Sequence, residues 1–400
     1  MHKQIRLIVD KKSWESGPPA ELDPIKGLKY LDVSKALLHV ALRTRPPSSV
    51  GIHLSDFWSW LRYFPAISHC PHLALRHEWE DIDPHQKTVL SDDWGVGFST
   101  GIIGQVFNVV AWADTHFLIK LLGTKFGELQ SDNKLGPKKS PDFIGGRLTP
   151  SPSIIVLECK GTQTSRAHLN KQLKAGKAQK SSLKVSAGIA VAGSMVGGIF
   201  VTNEINGEYA VFKVADPGIK RTDKKSASVD DFFSGLLQAE YAALLPLAGF
   251  SELGQLFTAS PWDSPAAIPR QDRRFSNIER FHADDEVWHG VKLRFPLVGV
   301  LHPDRERHLT EVRVSFGLSD EVLRSIKSTG NVRDANLRVL VDHVQEGRFD
   351  EKHRVSRNIF GPVEDEGAGP TAIATGVDMM RPVSIVTPLG MRLEVEWIWT

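Results

Sequence analysis

The run Ile154-Ile155-Val156-Leu157 constrains this chain more than any other feature. Four successive apolar residues leave neither face of a strand for solvent. Such a strand belongs inside a sheet that is covered on both sides. The run ends in Glu158-Cys159-Lys160, and Pro141-Asp142 precedes it across the turn-rich GGRLTPSPS. Side chains alternate faces along a strand. Glu158 and Lys160 therefore share the face of Ile154 and Val156, while Cys159 joins Ile155 and Leu157 on the other. Antiparallel pairing through the turn brings Asp142 toward Glu158. Two carboxylates and an ammonium then converge at one end of a sheet.

The plainer reading is a surface strand with an i,i+2 Glu/Lys pair and an aspartate capping a turn. The two-sided apolar run argues against it. The constellation also has a chemical use. Carboxylate oxygens suit a hard cation such as Mg²⁺, which keeps waters for substrate contacts. Such a cation lowers the pKa of a bound water and neutralises phosphate charge. A neighbouring lysine orients the water or stabilises developing negative charge.

Around this hairpin the pattern alternates. Residues 99–122 read as a helix, because Ile102, Val106, Val109, Val110, Ala113, Phe117 and Leu121 recur at three and four, with Ser99 or Thr100 as N-cap. Strands are expected at 141–145 and 153–160, a basic helix at 165–182, and strands at 187–192, 198–203 and 208–214. This order gives a mixed α/β layer. A length of 400 residues exceeds what one core usually serves, so further regions are expected on either side. We divide the chain into an N-terminal α+β region (1–87), a central domain (88–217) and a C-terminal α+β region (218–400). The last carries a helix at 230–246 and strands at 286–300, 309–316, 382–387 and 391–399. Residues 54–64, LSDFWSWLRYF, read as an aromatic-rich helix.

The residues Pro141-Asp142 and Glu158-Cys159-Lys160, behind an upstream helix and an apolar strand, resemble the PD-(D/E)xK nuclease superfamily. The resemblance covers about residues 90–217. It implies a restriction-endonuclease-like mixed-sheet core flanked by helices and a Mg²⁺-dependent endonuclease, with Mn²⁺ as a substitute. Asp142, Glu158 and Lys160 would be catalytic. Asp142, Glu158 and the Cys159 carbonyl would hold the metal. Many members carry a further acid on the first helix. Here that helix offers Gln105 and Asp114, with Asp92 and Asp93 just before it, and the choice stays open. Homodimers and protein partners are part of the resemblance, and a restriction or anti-phage role is an analogy. The alternative is a non-catalytic nucleic-acid-binding or assembly subunit that retains the fold.

Local charge agrees with a phosphate partner, DNA before RNA. The net charge of +2 identifies nothing, but the 45 residues from Cys159 to Asn203 contain no Asp or Glu. The candidates for nucleic-acid contact are Lys138, Lys139, Arg166, Lys171, Lys174, Lys177 and Gln179. A solvated helix face would explain the lysines, though less easily the missing acids.

Other features carry less. The two cysteines exclude a disulfide framework and fit a reducing cytoplasm. The start of the chain shows no signal-peptide pattern. Residues 185–202 are uncharged and approach spanning length, yet Gly197-Gly198 favours two buried strands over a membrane helix. The cluster of His69, Cys70, His72, His77, Glu78, Glu80, Asp81, Asp83 and His85 is the rival metal candidate, but its spacing matches no zinc pattern with a known mechanism. GVGFSTG (95–101) has the wrong spacing for a dinucleotide fingerprint and reads as a turn into the long helix. HPDRERH (302–308) reads as a charged turn.

Overall fold

The structure, a computed structural model, describes residues 1–44, 63–123, 126–129, 140–180, 182–216, 218–222, 228–259, 268, 278–301, 308–329, 331–339, 358–361 and 382–399. Most of the expected helix at 54–64 and of HPDRERH lies outside these residues, as do Lys138 and Lys139.

The apolar strand is central, as its composition demands. It runs Ser153–Thr162 (β6), and its Ile154–Leu157 run is wholly buried. Seven strands surround and include it: β1 (His2–Val9), β2 (Gly27–Asp32), β3 (Ala111–Asp114), β5 (Phe143–Arg147), β6, β8 (Val191–Phe200) and β9 (Val211–Ala215). Their order is β2-β1-β9-β8-β6-β5-β3. Pairing is parallel at β1/β9 and β6/β8 and antiparallel elsewhere, so the sheet is mixed. Two of its strands, β1 and β2, come from residues 1–87. A small sheet joins β4 (Gly127–Leu129), β7 (Leu183–Ser186) and β10 (Lys220–Thr222). The C-terminal part forms a five-stranded antiparallel sheet, ordered β11-β12-β13-β15-β14, from β11 (Glu279–Ala283), β12 (Glu286–Leu301), β13 (His308–Ser319), β14 (Val383–Val386) and β15 (Met391–Trp399). The protein is thus α/β, with a mixed seven-stranded sheet and a separate antiparallel one.

The helix expected at 99–122 is a correction. A helix runs Pro84–Val106, a strand (β3) follows, and a second helix spans Thr115–Leu122. With α1 at Val33–Arg43, these are α2 and α3. The start of α2 is set by Asp83, whose carboxylate accepts from the His85 amide at 2.8 Å, and by Pro84 in the first turn. Its end is set by Asn108 at φ 49°. Asp114 opens α3 by accepting from the Phe117 amide at 2.7 Å. The apolar spacing ran continuously through both helices because β3 is buried too, so periodicity alone could not show the interruption.

GVGFSTG is the middle of α2, not a turn into it. A Cβ on Gly97 would meet the Val40 side chain of α1 at 2.3 Å, and one on Gly95 would meet the Lys160 carbonyl carbon at 2.7 Å. These glycines let α2 lie close against both neighbours. Residues 191–200 form one strand where two were expected. Gly197 and Gly198 do not break it. They make room for Ser99 of α2 on one face and for Leu169 and Leu173 on the other. Among the described residues no helix is long and apolar enough to cross a membrane.

The basic helix spans Arg166–Lys180 (α4) and covers the Glu158 face of the sheet. The helix Val229–Leu247 (α5) packs its Phe233 and Leu236 against Gly146 of β5, on that same face. Its buried Glu240 pairs with Arg43 of α1 at 2.7 Å and accepts from the Trp112 amide of β3 at 2.6 Å. This binds the C-terminal part of the chain to the central sheet.

Candidate active site at the end of the central strand

Asp142 faces Glu158 for a backbone reason. The β5/β6 ladder pairs Phe143 with Leu157 and stops there. Pro141 has no N–H to extend it. The Asp142 side chain takes the next position, its Oδ2 accepting from the Cys159 amide at 2.7 Å. An N–H and a C=O of one strand residue project to the same edge. The Cys159 carbonyl therefore points into the gap left by β5, beside Asp142. The Asp142 carbonyl accepts from the Thr115 amide at 3.1 Å, which fixes the turn to the start of α3.

Glu158 is fully buried. The Lys160 ammonium lies against its Oε1 as an ion pair, and Lys160 and the Asp142 backbone both favour the charged carboxylate. Gly176 of α4 sits over it, since a Cβ there would come within 3.1 Å of Glu158 Cγ. A buried carboxylate is costly unless a cation compensates it. Burial first, and the Asp142 charge second, push the Glu158 carboxyl up to about 7, against the pull of Lys160. Burial also raises Asp142, with the Cys159 amide and Lys160 opposing. For Lys160, burial pulls down but Glu158 and Asp142 outweigh it and hold the ammonium above its ordinary value. Cys159 is turned to the other face and buried, and burial lifts its thiol well above the ordinary range.

Among the acids left open, Asp92 and Asp114 both extend their charge to Asp142, Asp114 the more strongly. Because α2 begins at Pro84, Asp92 lies inside it rather than before it. Its carboxyl is raised by burial and drawn back by the Lys160 charge, and its own charge reaches Asp142. The crossing of α2 on β6 produces this approach. Gly161 stands under Ser91, whose carbonyl oxygen would be 1.7 Å from a Cβ on that glycine. Gln163 ties the same junction, donating to the Lys87 carbonyl at 2.8 Å and to Ser91 Oγ at 3.0 Å. The other candidates point elsewhere. Asp93 accepts from the Tyr63 hydroxyl at 2.5 Å. Gln105 binds Asn358 and the Ile359 amide. Asp114 caps α3, though its charge also raises Asp142. The Asp-Pro pair at 83–84 is the sequence signal that could have placed Asp92 within the helix.

The described basic candidates all lie on α4, the helix whose Gly176 sits over Glu158. Lys171 and Lys174 are exposed on α4, opposite the face where Leu169, Leu173 and Gly176 meet the sheet. Lys177 and Gln179 are half-buried on the same helix. Arg166 is exposed and pairs with Glu208 at 3.3 Å.

Among the described residues, three ligand atoms within 4.8 Å of one another occur at His77, Glu78 and Glu204. His77 and Glu78 are exposed, Arg76 neutralises Glu78, and the Cys70 sulfur sits 3.9 Å from Glu204. Cys70, His69, His72 and His85 do not join that group.

Fold and site together define an α/β protein with a carboxylate–lysine cluster at the end of its central strand. Comparison with family models, curated proteins and solved structures gives no match.

Proposed function

We propose that the protein is a metal-dependent nuclease of the PD-(D/E)xK type, with a restriction-endonuclease-like core, that hydrolyses DNA phosphodiester bonds. The carrying observation is the substitution of the Asp142 carboxylate for a ladder carbonyl. It brings a second acid into register with buried Glu158 and Lys160.

The residues fit a hard divalent cation. Glu158 offers a carboxylate that Lys160 holds at Oε1, Asp142 has Oδ1 left, and the Cys159 carbonyl faces the same gap. Mg²⁺, or Mn²⁺ in its place, would supply Lewis acidity and a water of lowered pKa. Lys160 supplies a cation held on by its acidic neighbours, suited to orienting a nucleophile or stabilising charge on a phosphate. Asp92 adds a negative charge that reaches both Lys160 and Asp142. The exposed lysines of α4 supply non-specific attraction for a phosphate backbone. A restriction or anti-phage role, a cytoplasmic setting and a dimer are compatible with this chemistry.

One observation favours the second reading, a binding or assembly subunit that keeps the fold. Lys160 already neutralises Glu158, and the acids do not close on one point as tightly as His77, Glu78 and Glu204 do. The two readings separate when supercoiled plasmid and single-stranded DNA are incubated with Mg²⁺ or Mn²⁺. Cleavage by the wild type that disappears in Asp142→Ala and Lys160→Ala is expected. Cleavage undiminished in those variants, or none by the wild type while metal binding is intact, overturns the nuclease reading.

A further inference from the structure

A cavity of about 340 Å³ lies between the C-terminal half of α1, the last turns of α2, the start of β3 and the end of β14. It is separate from the carboxylate cluster. Gly104, which lines it, follows Asp92 by twelve residues of α2, about 18 Å along the helix axis. Among the described residues no carboxylate lines this cavity. Val109, Val110 and Ile385 give it apolar wall, and Arg43 and Trp112 give it donors. His39, one turn before Arg43 on α1, is the other lining group able to carry positive charge.

Two of these donors are held in place and left unused. Buried Glu240 brackets both residues: its Oε1 accepts from Arg43 Nη2 at 2.7 Å, and its Oε2 accepts from the Trp112 amide at 2.6 Å. The Arg43 side chain makes no other hydrogen bond, so Nη1 keeps both its hydrogens. Trp112 is only 4% exposed, and its indole N–H has no hydrogen-bond partner. Gly104 stands beside that group, where a Cβ would come within 3.2 Å of Nε1. Both residues line the cavity, and Nη1 and the indole nitrogen, unlike the walled-in Arg43 Nε, keep accessible surface.

Unpaired donors in a nearly closed site call for an acceptor. A carboxylate fits, because its two oxygens can take one donor each. Arg43 is already shared with Glu240, so its guanidinium balances a monoanion better than a phosphate dianion. The volume is at the lower end of small-ligand sites, and the apolar wall suits a short hydrocarbon body. We propose that this cavity binds a small organic monocarboxylate, its head on Arg43 Nη1 and Trp112 Nε1 and its body against Val109, Val110 and Ile385. This site goes beyond the nuclease reading and does not rest on it.

The test is NMR of the full chain labelled with ¹⁵N at tryptophan, with benzoate as the probe and benzamide as its uncharged counterpart. The Trp112 indole signal, identified by its loss in Trp112→Phe, should shift saturably with benzoate. Benzamide at the same concentration should leave it in place. Gly104→Ala sets a methyl group against Nε1 and should weaken benzoate binding at least about tenfold. Asn108→Asp places a negative charge on an exposed lining residue and should weaken it about threefold. Aspartate tolerates the φ of 49° there, so this variant keeps the test valid if Gly104→Ala fails to fold. A Trp112 signal that benzoate does not move, or that benzamide moves equally, overturns the assignment. So does a benzoate response that is the same in wild type and in the folded variants.

Discussion

Gly161→Ala is the sharpest perturbation of the geometry that brings Asp92 to Lys160. A methyl group at this position meets a backbone oxygen, Ser91 O, at 1.7 Å, where ordinary contact begins at 3.4 Å. No rotamer relieves it, so α2 must lift from β6 by about the missing distance. Overpacking of this kind costs about 1–3 kcal/mol, and the upper end applies because the obstructing atom is main chain. The lift carries Asp92 with it. A displacement near 1 Å in a positioned group can cost about a hundredfold in rate. Urea melts and single-turnover cleavage of single-stranded DNA read the two effects separately. Gly95→Ala strikes the same contact from the helix side, with its Cβ 2.7 Å from the Lys160 carbonyl carbon. The double variant should lose less than the sum of the singles, because the first lift makes room for the second methyl. A Gly161→Ala protein with wild-type stability and rate would refute the close crossing of α2 on β6.

Three further outcomes are expected. Burial, partly offset by Cys70 and Glu204, pulls the Lys3 ammonium from 10.5 down to about 8. Between these values the unfolded chain holds more protons, so stability should rise with pH, complete above 10.5 and gone below 8, by at most about 3 kcal/mol. Lys3→Met should lack that rise when urea midpoints are compared across pH 7 to 10.5, and a parallel rise in both proteins would contradict it. Asp83→Ala removes the N-cap of α2 and should cost about 1 kcal/mol in the same melts, since it frees the His85 amide. Binding of single-stranded DNA should weaken steeply with salt, and replacing exposed Lys171 or Lys174 by Ala should each lower the log–log slope by about 0.7. A flat salt response would remove the phosphate-contact role of α4.

Much of the site was legible because strand arithmetic is local. The alternation along Ile154–Lys160 fixed which residues share a face, and the short turn fixed the pairing that sets Asp142 opposite Glu158. The place of Asp92 within a helix was not legible from periodicity. The buried strand β3 continued the apolar spacing of α2, so the helix seemed to start and end one element late and Asp92 fell outside it. Gly197-Gly198 misled in the other direction. Paired glycines suggest a turn, yet here they admit Ser99, Leu169 and Leu173 against an unbroken strand. Long-range partners were also out of reach. Nothing local says that residues 2–9 add a strand beside Val211–Ala215, or that Glu240 will meet Arg43 and the Trp112 amide. Those placements follow from burying two-sided sheets and paired charges, which depend on the whole chain.

Glu158, buried beside Lys160, is the carboxylate on which cation binding by this cluster should depend most. Isothermal titration of Mn²⁺ into wild type and Glu158→Gln tests it most directly. Saturable binding to wild type is expected, weakened at least about tenfold in the variant. Equal binding by both proteins, or no binding to wild type together with a variant that is strongly destabilised, would make Glu158 and Lys160 a structural ion pair.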